Sequence, residues 1–252
     1  MTNIILSGAL GRMGSAVTAA AAERGDVTIT AGIDPMGGAA DYPLYASPAA
    51  IPADCAADAI IDFSHHTALP ALLDFAIARG LPVVVATTGH DESELSAMRE
   101  AAKKIPVFYS RNMSLGINLL IELCRRAAAT LGTGFDVEII ERHHNRKLDA
   151  PSGTALMLAD AIAEVREDSE YVYDRHTVRR QRDPHEIGIH AVRGGTIVGE
   201  HEVMFAGRDE VVTLSHSAAS REVFATGALA AAVWLPGKTA GMYAMQDMVA
   251  EM

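Results

Sequence analysis

Along the first half of the chain, short runs of β-branched and aliphatic residues alternate with longer helical stretches, and few folds accept that rhythm. Residues 3–7 (Asn-Ile-Ile-Leu-Ser) read as a buried strand, 14–24 as an alanine-rich helix and 27–33 as a second strand. Residues 59–63 (Ala-Ile-Ile-Asp-Phe) and 82–86 (Pro-Val-Val-Val-Ala) are further strands, with a helix over about 67–79 between them. A helix over 91–104 and a strand over 105–109 complete the series. Strands this short and this continuously apolar are buried on both faces, which requires βαβ crossovers and a parallel sheet.

After about Ser114 the pattern changes. A long helix is predicted over 115–131, a strand over 135–142 and a helix over 154–165. Residues 186–218 are mostly extended, with Gly194-Gly195 and Gly207-Arg208-Asp209 as turns. This is the signature of an α+β domain with an antiparallel or mixed sheet. Residues 166–183 are polar and charged and read as an exposed loop or mobile connector. Residues 221–251 return to helix.

Composition narrows the function classes. The 252 residues hold 21 Lys+Arg against 32 Asp+Glu, a formal net charge of −11, with 49% hydrophobic residues. That much apolar surface argues against intrinsic disorder, and the negative total argues against a general nucleic-acid binder. An anionic ligand would need a local positive site working against the field of the whole protein. Cys55 and Cys124 are far apart and in no metal-ligand spacing, so a reducing compartment is expected and no metal site. The start Met1-Thr2-Asn3 has no basic n-region. The longest near-apolar run, 223–235, is too short to span a bilayer and is broken by Thr226 and Gly227. A cytoplasmic protein that does not enter the membrane is expected.

The first strand runs into Ser7-Gly8-Ala9-Leu10-Gly11-Arg12-Met13-Gly14, a G-x-x-G-x-x-G variant of the dinucleotide fingerprint that opens the first helix. Glycine permits the sharp turn and lets a pyrophosphate approach the backbone. The helix start offers N–H groups and partial positive charge to that phosphate. Asp34 ends the second strand 20 residues after Gly14, where an acid would accept the adenosine ribose hydroxyls. It is followed by Pro35 and Met36 rather than a basic residue, which favours NADH over NADPH. Ala86-Thr87-Thr88-Gly89 and Ser110-Arg111-Asn112-Met113 fall at strand C-termini of the same sheet, where ligands of doubly wound folds bind. The expected fold is α/β, with a Rossmann-like parallel-sheet domain over 1–114, completed by C-terminal helices within 221–252, and an α+β domain over 115–220.

The stretch Glu141-Arg142-His143-His144-Asn145-Arg146-Lys147-Leu148-Asp149-Ala150-Pro151-Ser152-Gly153-Thr154-Ala155 begins where a strand ends and stops where a helix begins. Arg142, His143, His144, Arg146 and Lys147 concentrate basic and imidazole groups, and Ser152 or Thr154 can cap the helix. Three readings are open. The histidine pair could bind metal, but adjacent strand residues point to opposite sides and no third ligand is near. The run could be a solvated basic loop. Or imidazole, ammonium and helix start could form an anionic-substrate site with acid catalysis.

This stretch resembles the E-x-H-H-x-x-K-x-D-A-P-S-G-T-A signature of the dihydrodipicolinate reductase (4-hydroxy-tetrahydrodipicolinate reductase) family of lysine and diaminopimelate biosynthesis. The similarity extends to the Gly8–Gly14 turn, Thr87-Thr88-Gly89, 112–118 (Asn-Met-Ser-Leu-Gly-Ile-Asn), 198–201 (Val-Gly-Glu-His) and 234–238 (Trp-Leu-Pro-Gly-Lys), nearly the whole chain. The resemblance implies an NADH- or NADPH-dependent oxidoreductase that forms a homotetramer through the sheet of its second domain. His143 would be the proton donor and Lys147 a second catalytic group. His144, Lys147, Ser152, Gly153, Thr154 and Thr88 would contact a small dicarboxylate substrate. Gly8, Ala9, Leu10, Gly11, Arg12, Met13, Asp34, Ala86, Thr87, Thr88, Ser110, Arg111, Asn112 and Met113 would contact the cofactor. Ala86 departs from a frequent glycine, and Arg111 from the expected small residue. Other classes remain to be weighed: another amino-acid dehydrogenase of the same fold, which would not need His-His-x-x-Lys with Pro-Ser-Gly-Thr, and a non-catalytic nucleotide sensor.

Overall fold

The apolar runs of the first half become strands of one parallel sheet. In the computed structural model, which describes residues 1–252, these are β1 (Thr2–Ser7), β2 (Val27–Ile33), β3 (Leu44–Tyr45), β4 (Ala59–Asp62), β5 (Val83–Val85) and β6 (Pro106–Tyr109). They alternate with α1 (Arg12–Ala22), α2 (Leu69–Arg79) and α3 (Glu92–Ala101), and α4 (Leu115–Leu131) follows. The second half adds β7 (Asp136–His143), α5 (Gly153–Ala163), β8 (Glu170–Val172), β9 (Glu186–Arg193), β10 (Gly199–Ala206) and β11 (Val211–Ala218). The chain ends with α6 (Glu222–Trp234), β12 (Gly241–Tyr243) and α7 (Met245–Glu251). It divides into two compact units, Met1–Leu115 with Glu222–Met252, and Gly116–Arg221.

The first unit is built on a seven-stranded sheet in the order β12-β6-β5-β4-β1-β2-β3, every pair parallel. Its first six strands follow the doubly wound order in which ligands bind beyond the strand C-termini. Alternation along each strand sends side chains to two cores. Ile4, Leu6, Ile61, Val84 and Phe108 meet α1, α6 and α7 on one face. Ile5, Ile60, Val83, Val85 and Val107 meet α2 and α3 on the other. The C-terminal segment is not helical throughout, as the sequence suggests. Gly241-Met242-Tyr243 pairs with β6 as an added edge strand, too short to leave a periodic signal.

The second unit is a five-stranded mixed sheet, β11-β10-β7-β9-β8. β7 pairs antiparallel with β10 and parallel with β9. Val137, Ile139, Ile187, Ile189, Val203 and Phe205 form its inner face against α4 and α5. The charged segment 166–183 is no free connector. Arg166 is buried and donates to the carbonyls of Phe135 (3.0 Å) and Pro184 (2.8 Å). Arg175 and Arg180 converge on the buried carboxylate of Glu186, and Tyr171 lies in β8. A charge run normally marks a solvated face, but here a buried acid needs these partners to offset its desolvation.

Two glycines differ in what the fold demands of them. A Cβ on Gly14 would lie 2.2 Å from the Gly8 carbonyl oxygen and 2.5 Å from that of Ala9, whereas one on Gly153 meets nothing within 4 Å. Gly14→Ala is therefore expected to cost about 2 kcal/mol and lower the melting temperature by roughly 4–8 °C. Gly153→Ala should melt within about 2 °C of the native chain. Thermal unfolding followed by circular dichroism checks both.

Candidate active site

Glu141 and His143 stand two residues apart on β7 and so share the inner face of the second sheet. The Glu141 carboxylate is fully buried and each of its oxygens accepts two donors. Oε2 takes His143 Nδ1 at 2.6 Å and Arg193 Nη1 at 2.8 Å. Oε1 takes Arg193 Nη2 at 2.7 Å and the Ser152 backbone N–H at 3.0 Å. Burial alone would raise the Glu141 pKa, but these bonds from His143, Arg193 and Ser152 hold it at about 2. An ionised carboxylate only accepts, so His143 Nδ1 donates and Nε2 is the outward nitrogen. Gly199 on β10 leaves room beside it: a Cβ there would sit 3.1 Å from His143 Nε2.

Parallel register sets Arg193 opposite His143, and antiparallel register sets His201 opposite Glu141. His201 is buried, packs edge-on to His143 at 5.2 Å and shares a 3.1 Å hydrogen bond with Ser152 Oγ. Burial, with the nearby charge of His143, pushes the His201 pKa down to about 4. Ser152 also caps α5, its Oγ accepting from the Ala155 N–H at 3.2 Å. A cis peptide joins Ala150 to Pro151, and Arg193 Nη2 donates to the Asp149 carbonyl at 2.8 Å. The first turn of α5 thereby lies next to the imidazole pair, with its N–H groups at the open helix end. Lys147 is half-buried and pairs with Asp149 at 2.8 Å. His144 Nε2 accepts from Arg221 at 3.5 Å. An anion facing α5 would meet imidazole, ammonium and helix N–H groups together.

In the first unit, the glycine turn links β1 to α1. Gly8 takes φ +76°, and a Cβ on it would strike the Phe63 carbonyl oxygen at 2.5 Å. Gly11 caps α1 without a side-chain bond, and its Cβ would meet only Gly8 O, at 3.2 Å. Asp34, the residue after β2, lies against this turn, accepting the Leu10 N–H on Oδ2 and the Met36 N–H on Oδ1, each at 3.0 Å. The loop after β5 is anchored where the Thr87 hydroxyl donates to the buried Asp62 carboxylate at 3.0 Å. The loop after β6 is braced by Ser110 Oγ donating to the Asn112 carbonyl at 3.0 Å.

Family models described as dihydrodipicolinate reductase, N-terminus, and dihydrodipicolinate reductase, C-terminus, match residues 2–113 and 116–249. The chain belongs to the dihydrodipicolinate reductase family. Among curated relatives, the 4-hydroxy-tetrahydrodipicolinate reductase of Caldanaerobacter subterraneus subsp. tengcongensis is 54% identical over 250 residues, covering 99% of this chain and 98% of that protein. That of Clostridium novyi (strain NT) is 44% identical over 251 residues, with the same coverages. Among solved structures, a dipicolinate-bound dihydrodipicolinate reductase from Paenisporosarcina sp. TG-14 has the same fold. It superposes with TM-score 0.83 at 24% identity, covering 98% of this chain and 99% of that one.

A reductase family with this sheet order implies a nicotinamide cofactor, and the residues present fit one. The N–H groups of residues 8–11 bond within the protein, so those of the first turn of α1, from Arg12 on, are left for a phosphate, with no Cβ over Gly11, and Asp34 keeps lone pairs beyond its two backbone bonds. Gly8, Ala9, Leu10, Gly11, Asp34, Ala86, Thr87, Thr88, Ser110, Arg111, Asn112 and Met113 lie in the turns that follow C-terminal strand ends of the first sheet, and Arg12 and Met13 in the first turn of α1. The side chains of Ala9 and Met113 are buried in the core, so only their backbones can face a ligand. Arg12, Thr88 and Arg111 are exposed. In the second unit, His143, His144, Lys147, Ser152, Gly153 and Thr154 cluster between the end of β7 and the start of α5. The basic run is split: Arg142, on the opposite face, reaches Glu200 and Glu202 at 3.8 and 3.7 Å.

Glu141, Arg193 and His201 are neighbours of His143 in the candidate site that sequence reasoning left without roles. The two-residue spacing of Glu141 and His143 was available as a signal. The strand register that delivers Arg193 and His201 was not. His201 makes a pH test of this arrangement. Unfolded, it takes a proton near the ordinary 6.5; folded, only near 4. Between these values the unfolded state binds more protons, so stability falls as pH drops from about 6.5 to about 4, by up to roughly 3 kcal/mol. His201→Gln keeps a donor for Ser152 without titrating. Urea unfolding is expected to show a flatter loss of stability in H201Q across that window.

Proposed function

We propose that the chain catalyses the NAD(P)H-dependent reduction of 4-hydroxy-tetrahydrodipicolinate, or its dehydrated form dihydrodipicolinate, to tetrahydrodipicolinate in lysine and diaminopimelate biosynthesis. The observation that carries this reading is His143, oriented by a buried, ionised Glu141 beside the start of α5 and Lys147. The family match and the dipicolinate in the Paenisporosarcina structure support a planar dicarboxylate as the occupant.

Ser152, Gly153 and Thr154 at the start of α5, with His144 and Lys147, neutralise the two carboxylates. Lys147 leaves Asp149 to do so. Fixing both carboxylates orients the ring, and such alignment can supply a large share of the rate. When bound, the reduced nicotinamide supplies the hydride, to ring C4. His143 delivers the balancing proton from Nε2 to the adjacent ring carbon, while Glu141 stabilises the imidazolium before transfer. The first unit holds the cofactor through the turn at Gly8–Met13, Asp34 and the loops at 86–88 and 110–113. Asp34 accepts the adenosine ribose hydroxyls, and with Pro35 and Met36 following it NADH is preferred.

The outer face of the second sheet, where Val192 is 44% and Val211 57% exposed, supports assembly into a homotetramer through that sheet. No helix is long and apolar enough to cross a membrane. With a soluble metabolite as substrate, the cytoplasm is the proposed location.

Two experiments test this reading. His143→Ala is expected to lower kcat by about 10²–10⁴-fold with the NADH dissociation constant unchanged, whereas Lys147→Ala should raise KM for the dicarboxylate and lower kcat. NADH oxidation followed by absorbance, with dipicolinate as competitive inhibitor, reads both; near-normal turnover in H143A removes His143 as the acid. Asp34→Ala is expected to lower the ratio of kcat/KM for NADH over NADPH by about tenfold, the scale of one lost charge-assisted hydrogen bond. An unchanged ratio counts against the ribose contact.

A further inference from the structure

We propose that His90 is a positioning residue that holds the Thr87–Gly89 loop in its binding conformation, with the Glu94 carboxylate and the His66 ring packed against His90 in turn. This rests on the cofactor reading of that loop given above.

The His90 side chain is fully buried. Its Nε2–H donates to the Thr87 carbonyl at 3.0 Å, three residues back, closing the loop upon itself. Its Nδ1 lies 3.4 Å from Glu94 Oε2 without a hydrogen bond, and the His66 ring packs edge-on against the His90 ring at 6.4 Å. Glu94, in the first turn of α3, is itself buried. Its Oε2 accepts the Asp91 N–H at 2.9 Å, and its Oε1 accepts His66 Nδ1–H at 2.7 Å. Burial opposes ionisation of Glu94, yet the bonds from Asp91 and His66 hold its pKa below the ordinary value. Tyr109, at the end of β6, packs edge-on against the His90 ring at 5.8 Å.

The loop is gripped from its other side by Asp62, which accepts the Thr87 hydroxyl. Thr87 is thus fixed at its side chain by Asp62 at the end of β4 and at its carbonyl by His90, two residues before α3. The exposed pair Thr88 and Gly89, the latter at φ +84°, stands on those buried anchors. An apolar side chain would fill the His90 site without the desolvation cost of an imidazole. What it would not supply is a donor for the Thr87 carbonyl. Without that donor the loop samples other conformations, and apparent affinity falls by the fraction of time spent in them.

The test uses H90L, H90Q and E94Q, with two readouts. One is peptide-level hydrogen exchange over residues 86–91 without ligand. The other is the NADH dissociation constant from fluorescence titration, alongside kcat. H90L is expected to exchange faster and bind NADH about fivefold more weakly, the effect of an ordered fraction of about one fifth. H90Q, whose amide replaces the Nε2 donor, should return to within about twofold of the native affinity. E94Q keeps the α3 cap and should shift both readouts in the direction of H90L. It carries the test if H90L does not fold. Native exchange in both H90L and E94Q, or H90Q binding as weakly as H90L, overturns the inference. Faster exchange with native NADH affinity overturns instead the assignment of this loop to the cofactor.

Discussion

A carboxylate sealed from water at the end of a central strand organises the second unit. A buried charge is tolerated only when its lone pairs are matched by donors. Glu141 meets that condition with four donors drawn from its own strand, from β9 and from the residue that caps α5. The same bonds that make the charge tolerable aim the imidazole of His143, clamp Arg193 and seat the start of α5. The geometry proposed for catalysis and the local stability therefore depend on one group. The outward nitrogen of His143 is chosen by what lies behind it.

The overall charge of −11 is resolved locally by strand alternation. Along β7, Arg142 turns to the outer face and its own acidic partners, while His143 turns inward. A basic run that looks like one patch in sequence is divided by the sheet into a paired surface cation and an inward imidazole. Arg175, Arg180 and Arg182 of the segment 166–183 are likewise consumed in pairing Glu186, Glu138 and Asp136. Positive potential for an anion comes from few groups beside a helix end, where a helix dipole adds to them.

The parallel sheet was legible because strands buried on both faces leave unbroken apolar runs, as at Ile4-Ile5-Leu6 and Val83-Val84-Val85. α4 was legible over its length, since its long amphipathic pattern outweighs local ambiguity. β3 and β12, of two and three residues, carry no periodicity to detect. The segment 166–183 was misread because its arginines look solvated until a buried acid is known to await them. In the site, His143, Lys147 and Ser152 were visible as chemistry at a strand-to-helix junction. Arg193 and His201 come from strands 52 and 60 positions away from Glu141, and only register places them there.

The chain closes the first sheet last. Its face of Ile4, Leu6, Ile61, Val84 and Phe108 is covered in part by α6 and α7, and β12 is its final edge. All three elements are synthesised after residues 116–221 have emerged. During translation the second unit has its whole sequence available while the first still lacks a layer. The nascent first sheet thus presents an apolar face and an open strand edge for the time needed to make over a hundred residues, the kind of surface that invites aggregation or chaperone binding. The fold achieves its last burial only when residues 222–251 have left the ribosome.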